Sequence, residues 1–337
     1  MKPEIIRYRQ MQRWDIPRCV ELVAEHPVLG ARYGHIIQDL GKAWLEIFEQ
    51  RTVVAVVCEE IDTSGIPALL GASVSVFVHD DFVRDLKTPP HFWIGPELTR
   101  RIVRGASPVL SDKDVREANS TGGLTSVVWQ LCVRYDHPQG PERAHQGNST
   151  FFEAMRGFCL NEFIAQVESV EHAKCLISSG GLVFNAANGR YEEFPQPTTL
   201  EWVARLHLAG LSRECSRTPL GSWASSAFRY SSPRIGFTEG EQRLLVAALE
   251  GGTSEDLAEQ LTVSVFAIKR TWRAIYDRVS DRMPELIEET GDVNGGRGKQ
   301  KKGRLLAYVS QHPEELRPIT RQYRIAMAGR TVKSLSA

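Results

Sequence analysis

The sequence predicts an α/β domain (α+β, a mixed sheet with flanking helices) over residues 1–189, followed by an all-α domain. Three observations carry this. Runs rich in β-branched residues, TVVAVVCE at 52–59, SVSVFVH at 73–79 and TSVVWQLCVR at 125–134, alternate with stretches of helical period in the first half. Prolines and serines thicken over 190–235, from Pro195 and Pro197 through Pro219 to Ser231-Ser232-Pro233, as in a linker. From Phe237 onward no strand-like run appears, and three short capped helices can be drawn from local signals alone.

The chain opens on a strand, EIIRYR at 4–9, and a helix over 14–25 with Asp15 near its start and Pro17 in its first turn. A second helix fits 38–50, and the strands at 52–59 and 73–79 are separated by a turn containing Gly65 and Pro67, so they pair antiparallel. Residues 85–122, with Pro89-Pro90, Pro96, Pro108 and Gly122-Gly123, read as an insertion holding one helix from Pro96 to Arg104. The strand at 125–134 leads through a polar loop, DHPQGPERAHQGN, to a helix at 149–161 capped by Ser149 or Thr150. Strand, polar loop and helix N-terminus form an arrangement that suits an anion. A strand at 163–169, a helix closing at Ser178-Ser179-Gly180-Gly181 and the segment LVFN complete the domain, and the linker holds one helix, TLEWVARLHLAG at 199–210.

This order of elements resembles the GNAT acyltransferase superfamily, whose best local match runs from His172-Ala173-Lys174 to Phe184. The resemblance implies a loop after the central strand whose backbone N–H groups hold the pyrophosphate of coenzyme A. Here that loop is Gln139-Gly140-Pro141-Glu142-Arg143-Ala144-His145-Gln146-Gly147-Asn148-Ser149. No register of it gives the family's glycine spacing, and Glu142 adds a negative charge. The expectation is therefore a sensor or docking module with no cofactor, rather than an enzyme.

In the second half, Thr238 and Glu241 stand at capping-box spacing, Gly251-Gly252 ends the first helix, Thr253 with Asp256 starts the second, and Ser264 caps the third. Val265, Ile268, Trp272, Ile275, Tyr276 and Val279 share the core face of that third helix, while Phe266, Lys269, Arg270 and Arg273 face outward or flank it. Phe237-Thr238, Glu241, Gly251, Leu257-Ala258, Leu261, Ser264, Ala267-Ile268-Lys269, Ile275-Tyr276 and Val279 resemble the LuxR-type helix-turn-helix family. Thr262 stands where that family usually has Gly or Asn. The resemblance implies double-stranded DNA as partner and base or phosphate contacts from Lys269, Arg270 and Arg273, beside Ser264 and Phe266 at the start of the helix.

After Met283, glycines at 291, 295, 296 and 298 flank Arg297, Lys299, Lys301, Lys302 and Arg304. This basic loop reads as an arm in which Lys301 and Lys302 follow phosphates, and residues 303–316 as a helical tail.

Lys and Arg number 41 and Asp and Glu 41, so any nucleic-acid reading rests on local clustering. Six cysteines lie singly without paired spacing, which points to free thiols and no metal site. His137, His145 and His172, with Glu142, Glu162 and Glu168 nearby in sequence, form no ligand or triad pattern. No apolar leader or membrane span is read, so a cytoplasmic protein is expected. The expected function is a sequence-specific transcription regulator, with a homodimer as one candidate assembly. Its alternatives are a GNAT-type N-acyltransferase with an accessory helical domain and a module that meets RNA polymerase.

Overall fold

The computed structural model describes residues 5–48, 53–61, 65–134, 150–213, 228, 230–249, 251–287, 297–320 and 322–323, with backbone alone at 297–299. The chain divides into two compact units, Met1–Arg229 and Tyr230–Ala337.

The first unit is built on an eight-stranded mixed sheet. Its strands are β1 (Ile5–Gln10), β2 (Val53–Ile61), β3 (Pro67–Phe77), β4 (Leu124–Val133), β5 (Leu160–Gln166), β6 (Leu182–Asn185), β7 (Arg190–Glu192) and β8 (Leu208–Ser212). The spatial order is β1-β2-β3-β4-β5-β8-β6-β7. β4 and β5 run parallel, and every other neighbouring pair is antiparallel.

Five helices, α1 (Ile16–Glu25), α2 (Pro27–Tyr33), α3 (Ile37–Phe48), α4 (Asp80–Lys87) and α5 (Ile94–Val103), cover one face of the sheet. The other face carries α6 (Asp112–Thr121) and α7, a helix running through 150–155. This explains why β2 reads as an unbroken apolar run. Ala55 and Val57 point into the first layer while Val54 and Val56 point into the second, so both of its faces are buried. Trp44 of α3 and Trp129 of β4 meet edge to face at 6.3 Å in the first layer, a contact that adds about 0.5–1.5 kcal/mol beyond burial. The edge strand β1 is tied to its neighbour by charge. Arg7 pairs across from Glu59 at 2.7 Å and Arg9 at 2.8 Å, and Arg9 also holds Asp15 at 2.6 Å. Burial pushes the Glu59 carboxyl up, but the two guanidiniums outweigh it and hold the group below its ordinary value.

Two readings of this half are corrected. Residues 85–122 are no loose insertion: α5 buries Ile94, Leu98 and Ile102 in the first layer, and α6, capped by Ser111, buries Val115 in the second. The helix expected over 199–210 is a short one, α9 (Leu200–Val203), followed by β8, which lies inside the sheet between β5 and β6. Leu208, Ala209, Gly210 and Leu211 are all buried, and a Cβ on Gly210 would stand 2.6 Å from the Tyr191 hydroxyl. That close approach requires glycine.

The second unit is helical: α10 (Glu239–Leu249), α11 (Ser254–Gln260), α12 (Val265–Arg282) and α13 (Arg297–Gln311). In the capping box at the start of α10, Thr238 N–H donates to Glu241 at 2.6 Å, and Glu241 is also bound by Arg278 of α12 at 2.8 Å. The box at Thr253-Asp256 and the Ser264 cap are both formed. Buried Glu315 accepts the backbone N–H groups of Arg234, Ile235 and Gly236, anchoring the segment before α10 to the end of the chain's last described turn. Ile268, Trp272, Ile275 and Val279 are buried along α12. The basic arm is corrected: Lys301 and Lys302 lie on α13, and the Lys302 ammonium sits 5.1 Å from the Trp272 ring centre, a cation–π contact within the unit. No helix among the described residues is long and apolar enough to cross a membrane.

Candidate functional site

The parallel pairing of β4 and β5 is short. It runs from Leu124↔Leu160 to Val127↔Ile164 and then stops. On the other side of β4, β3 pairs Val74 with Gln130 and Ser75 with Val128, which leaves Trp129 as an extra residue. Such a β-bulge bends its strand and increases the local twist. Beyond the bulge β4 leaves β5, and a cleft opens between Val128–Leu131 on one side and Gln166–Glu168 on the other.

Helices α2 and α5 line the remaining walls. Gln166 joins β5 to the start of α5, its amide donating to Phe92 O and its carbonyl accepting Ile94 N–H, both at 2.8 Å. Tyr33 of α2 crosses the cleft floor and donates its hydroxyl to Gln130 at 2.9 Å. Burial carries the Tyr33 phenol well above its ordinary range, so it remains a donor. Gly95 makes this crossing possible, because a Cβ there would stand 2.3 Å from the Tyr33 oxygen.

Two opposite charges face each other in this space. The Arg32 guanidinium lies 3.8 Å over the Trp93 ring, and its Nη1, buried and without a hydrogen bond, is 3.6 Å from Glu168 Oε1. Burial pushes the Glu168 carboxyl up to about 7 against the opposing pull of Arg32. Burial likewise works against the charge of Arg32, which Glu168 supports. His172, in the first turn of α8 (Val170–Ser178), completes the wall. The free volume is about 20 Å³, room for roughly one water. Chemically, this is a carboxyl whose proton affinity burial raises toward neutrality, beside a guanidinium, at the point where a strand edge loses its partner.

Of the residues noted from sequence, Glu168 and His172 are brought together here. Glu162 is taken up elsewhere, by Lys87 at 2.6 Å and the Tyr191 hydroxyl. His137, His145, Glu142 and the whole loop 139–149 lie outside the described residues. Sequence reasoning passed over Arg32, Tyr33, Trp93 and Trp129. Arg32 and Tyr33 sit in GARYG, which looks like a turn, and only the glycines around them mark an unusual backbone. In the second unit Ser264 caps α12, while Phe266, Lys269, Arg270 and Arg273 are exposed on it.

The first unit is thus a mixed α/β architecture with one short parallel strand pair and a cleft at its end. No protein-family model matches the chain, and no curated protein matches it in sequence. Solved structures that resemble it include an aminoglycoside 6'-acetyltransferase, at 9% identity over 61% of this chain and 96% of that one, TM-score 0.32. A mosquito arylalkylamine N-acetyltransferase-like protein matches at 15% identity over 62% of this chain and 100% of its own, TM-score 0.37. An uncharacterised protein from Bacillus halodurans matches at 9% identity over 66% and 91%, TM-score 0.34. The expectation of a sequence-specific DNA-binding regulator is corrected: nothing among these matches supports DNA binding, and two of them are acetyltransferases by name. None brings support for a LuxR-type reader in the second unit, whose helices are described here as helices only.

Proposed function

We propose that the first unit is an N-acyltransferase that moves an acyl group from a thioester to an amine in the cleft between β4 and β5. The observation that carries this reading is Glu168, a carboxyl raised to about 7 in the place where the two strands part. An amine attacks a thioester only after losing its proton, and the best base for that task has a pKa near the working pH. Glu168 takes the ammonium's proton, the freed nitrogen bonds to the carbonyl carbon, and the nitrogen's second proton passes to solvent. The C–S bond then breaks and the thiolate leaves, to be protonated from solvent. The strand edge of β4 past Val127, without a ladder partner from β5, is a backbone strip against which an extended thioester chain can lie. In this reading the donor substrate is acetyl-coenzyme A.

The test is calorimetry of the full chain with acetyl-coenzyme A, followed by thiol release in the presence of a panel of amines. Binding at a micromolar dissociation constant, about −8 kcal/mol, is expected. Glu168→Gln should lower kcat by roughly 10²- to 10⁴-fold and remove the limb of the pH–rate profile near 7. Absence of both binding and thiol release, with every amine tried, refutes the reading.

A further inference from the structure

We infer that the ligand held between Arg32 and Glu168 is a zwitterion, an α-amino acid or a similar small molecule with a carboxylate beside its amine. This inference rests on the acyltransferase reading for what happens next, with the ligand as the acyl acceptor.

The argument starts from how this pair differs from the others. Among described ion pairs with both side chains less than a third exposed, Arg9–Asp15, Arg9–Glu59, Lys87–Glu162, Arg101–Glu97 and Arg278–Glu241 are at 2.6–2.9 Å. Those are hydrogen-bonded contacts. Arg32–Glu168 is at 3.6 Å, although the two side chains are only 14% and 25% exposed. Its Nη1 is fully covered and donates to no group among the described residues. A buried charge of this kind ordinarily gains hydrogen bonds, and a guanidinium cannot escape by losing its proton. The Arg32 guanidinium lies over the Trp93 ring, and Arg32 lines the cleft.

The sign of the charges then selects the ligand. A protonated amine drawn to Glu168 separates the carboxylate from Arg32 and puts a second cation beside the guanidinium. A carboxylate on the same molecule relieves both effects. It takes over as the partner of Arg32, in the forked geometry that guanidinium and carboxylate share, while the ammonium meets Glu168. The free volume of about 20 Å³ holds only a water until the Arg32–Glu168 pair opens, so the ligand has to be small. The loose pair is the contact that yields on binding.

The test uses the full chain and the twenty L-amino acids, each beside its methyl ester and its decarboxylated amine. Saturation-transfer NMR without any thioester reads binding, and thiol release with acetyl-coenzyme A reads turnover. Free amino acids should bind, and the preferred one should exceed its ester and its amine roughly 10- to 100-fold, the worth of one charged hydrogen-bonded contact. Arg32→Ala should collapse that ratio toward one, and Arg32→Lys should restore part of it. Circular dichroism checks that each variant is folded. Binding with the expected preference but no thiol release supports the ligand assignment and refutes acyl transfer. Turnover of esters or simple amines as good as that of the acids, or an unchanged ratio in a folded Arg32→Ala protein, overturns the ligand assignment while acyl transfer stands. Absence of any amino-acid binding overturns it outright.

Discussion

A carboxyl kept near neutrality for chemistry carries a cost in stability, and Glu168 lets that cost be worked out. In the unfolded chain its value is 4.5, and in the folded protein about 7. Because the folded value is raised, the contribution is most favourable below 4.5 and is lost as the pH rises through 7. At 1.36 kcal/mol for each tenfold change in proton affinity, the full span is about 3 kcal/mol. Glutamine copies the shape of the protonated acid and never ionises. Glu168→Gln should therefore stabilise the first unit by up to about 3 kcal/mol at pH 8 and make no difference at pH 4.5. The unpaired Arg32 does not change this sum, since its pull on the ionised carboxyl is already contained in the value of 7. Hydrogen exchange of β4 amides, read by mass spectrometry across this pH range, isolates the first unit within the intact chain. A variant less stable at pH 8, or a difference that does not fade as the pH falls, means that Glu168 is well solvated or well paired and that the cleft does not perturb it.

Gly95→Ala should push the Tyr33 ring out of its path and break its bond to Gln130, lowering the stability of the first unit by about 1–3 kcal/mol; urea unfolding followed at β4 amides checks it, and an unchanged midpoint means the ring has room to move. In the second unit, Thr262 is held at φ 55°, the left-handed region that disfavours a branched side chain. Thr262→Asn should raise the unit's unfolding free energy by about 0.5–1 kcal/mol, and thermal melts showing a loss instead would mean that the threonine side chain makes a contact of its own.

Much of the sheet was legible in the sequence, and the reasons are local. β2, β3 and β4 are long, branched and flanked by turn residues, and the caps at Thr238, Thr253 and Ser264 declare their helices within four residues each. β8 was not legible, because LHLAG continues an apolar spacing that also suits a helix and its burial comes from β5 and β6, far away in sequence. The cleft was legible only in part. Glu168 and His172 stand close together in the chain, but Arg32, Trp93 and Trp129 join them only through the folding of three separate elements. The functional reading failed for a related reason. Well-formed caps and a basic outer face specify α12 and its exposure, but no local signal specifies what an exposed face meets.

The extra residue at Trp129 places the cleft in the register of the backbone rather than in any one side chain. Its indole is packed against Trp44 in the core, so the distortion is anchored from behind while the residues facing the opening are free to vary. Substitutions at Arg32, Trp93 or Glu168 change what the cleft accepts without closing it. Loss of the extra residue from β4 would do the reverse, removing the bend and letting the strand run on beside its neighbour. A scaffold of this kind can exchange ligands over evolutionary time at small risk to its fold, and it is vulnerable chiefly to a single-codon deletion at one position.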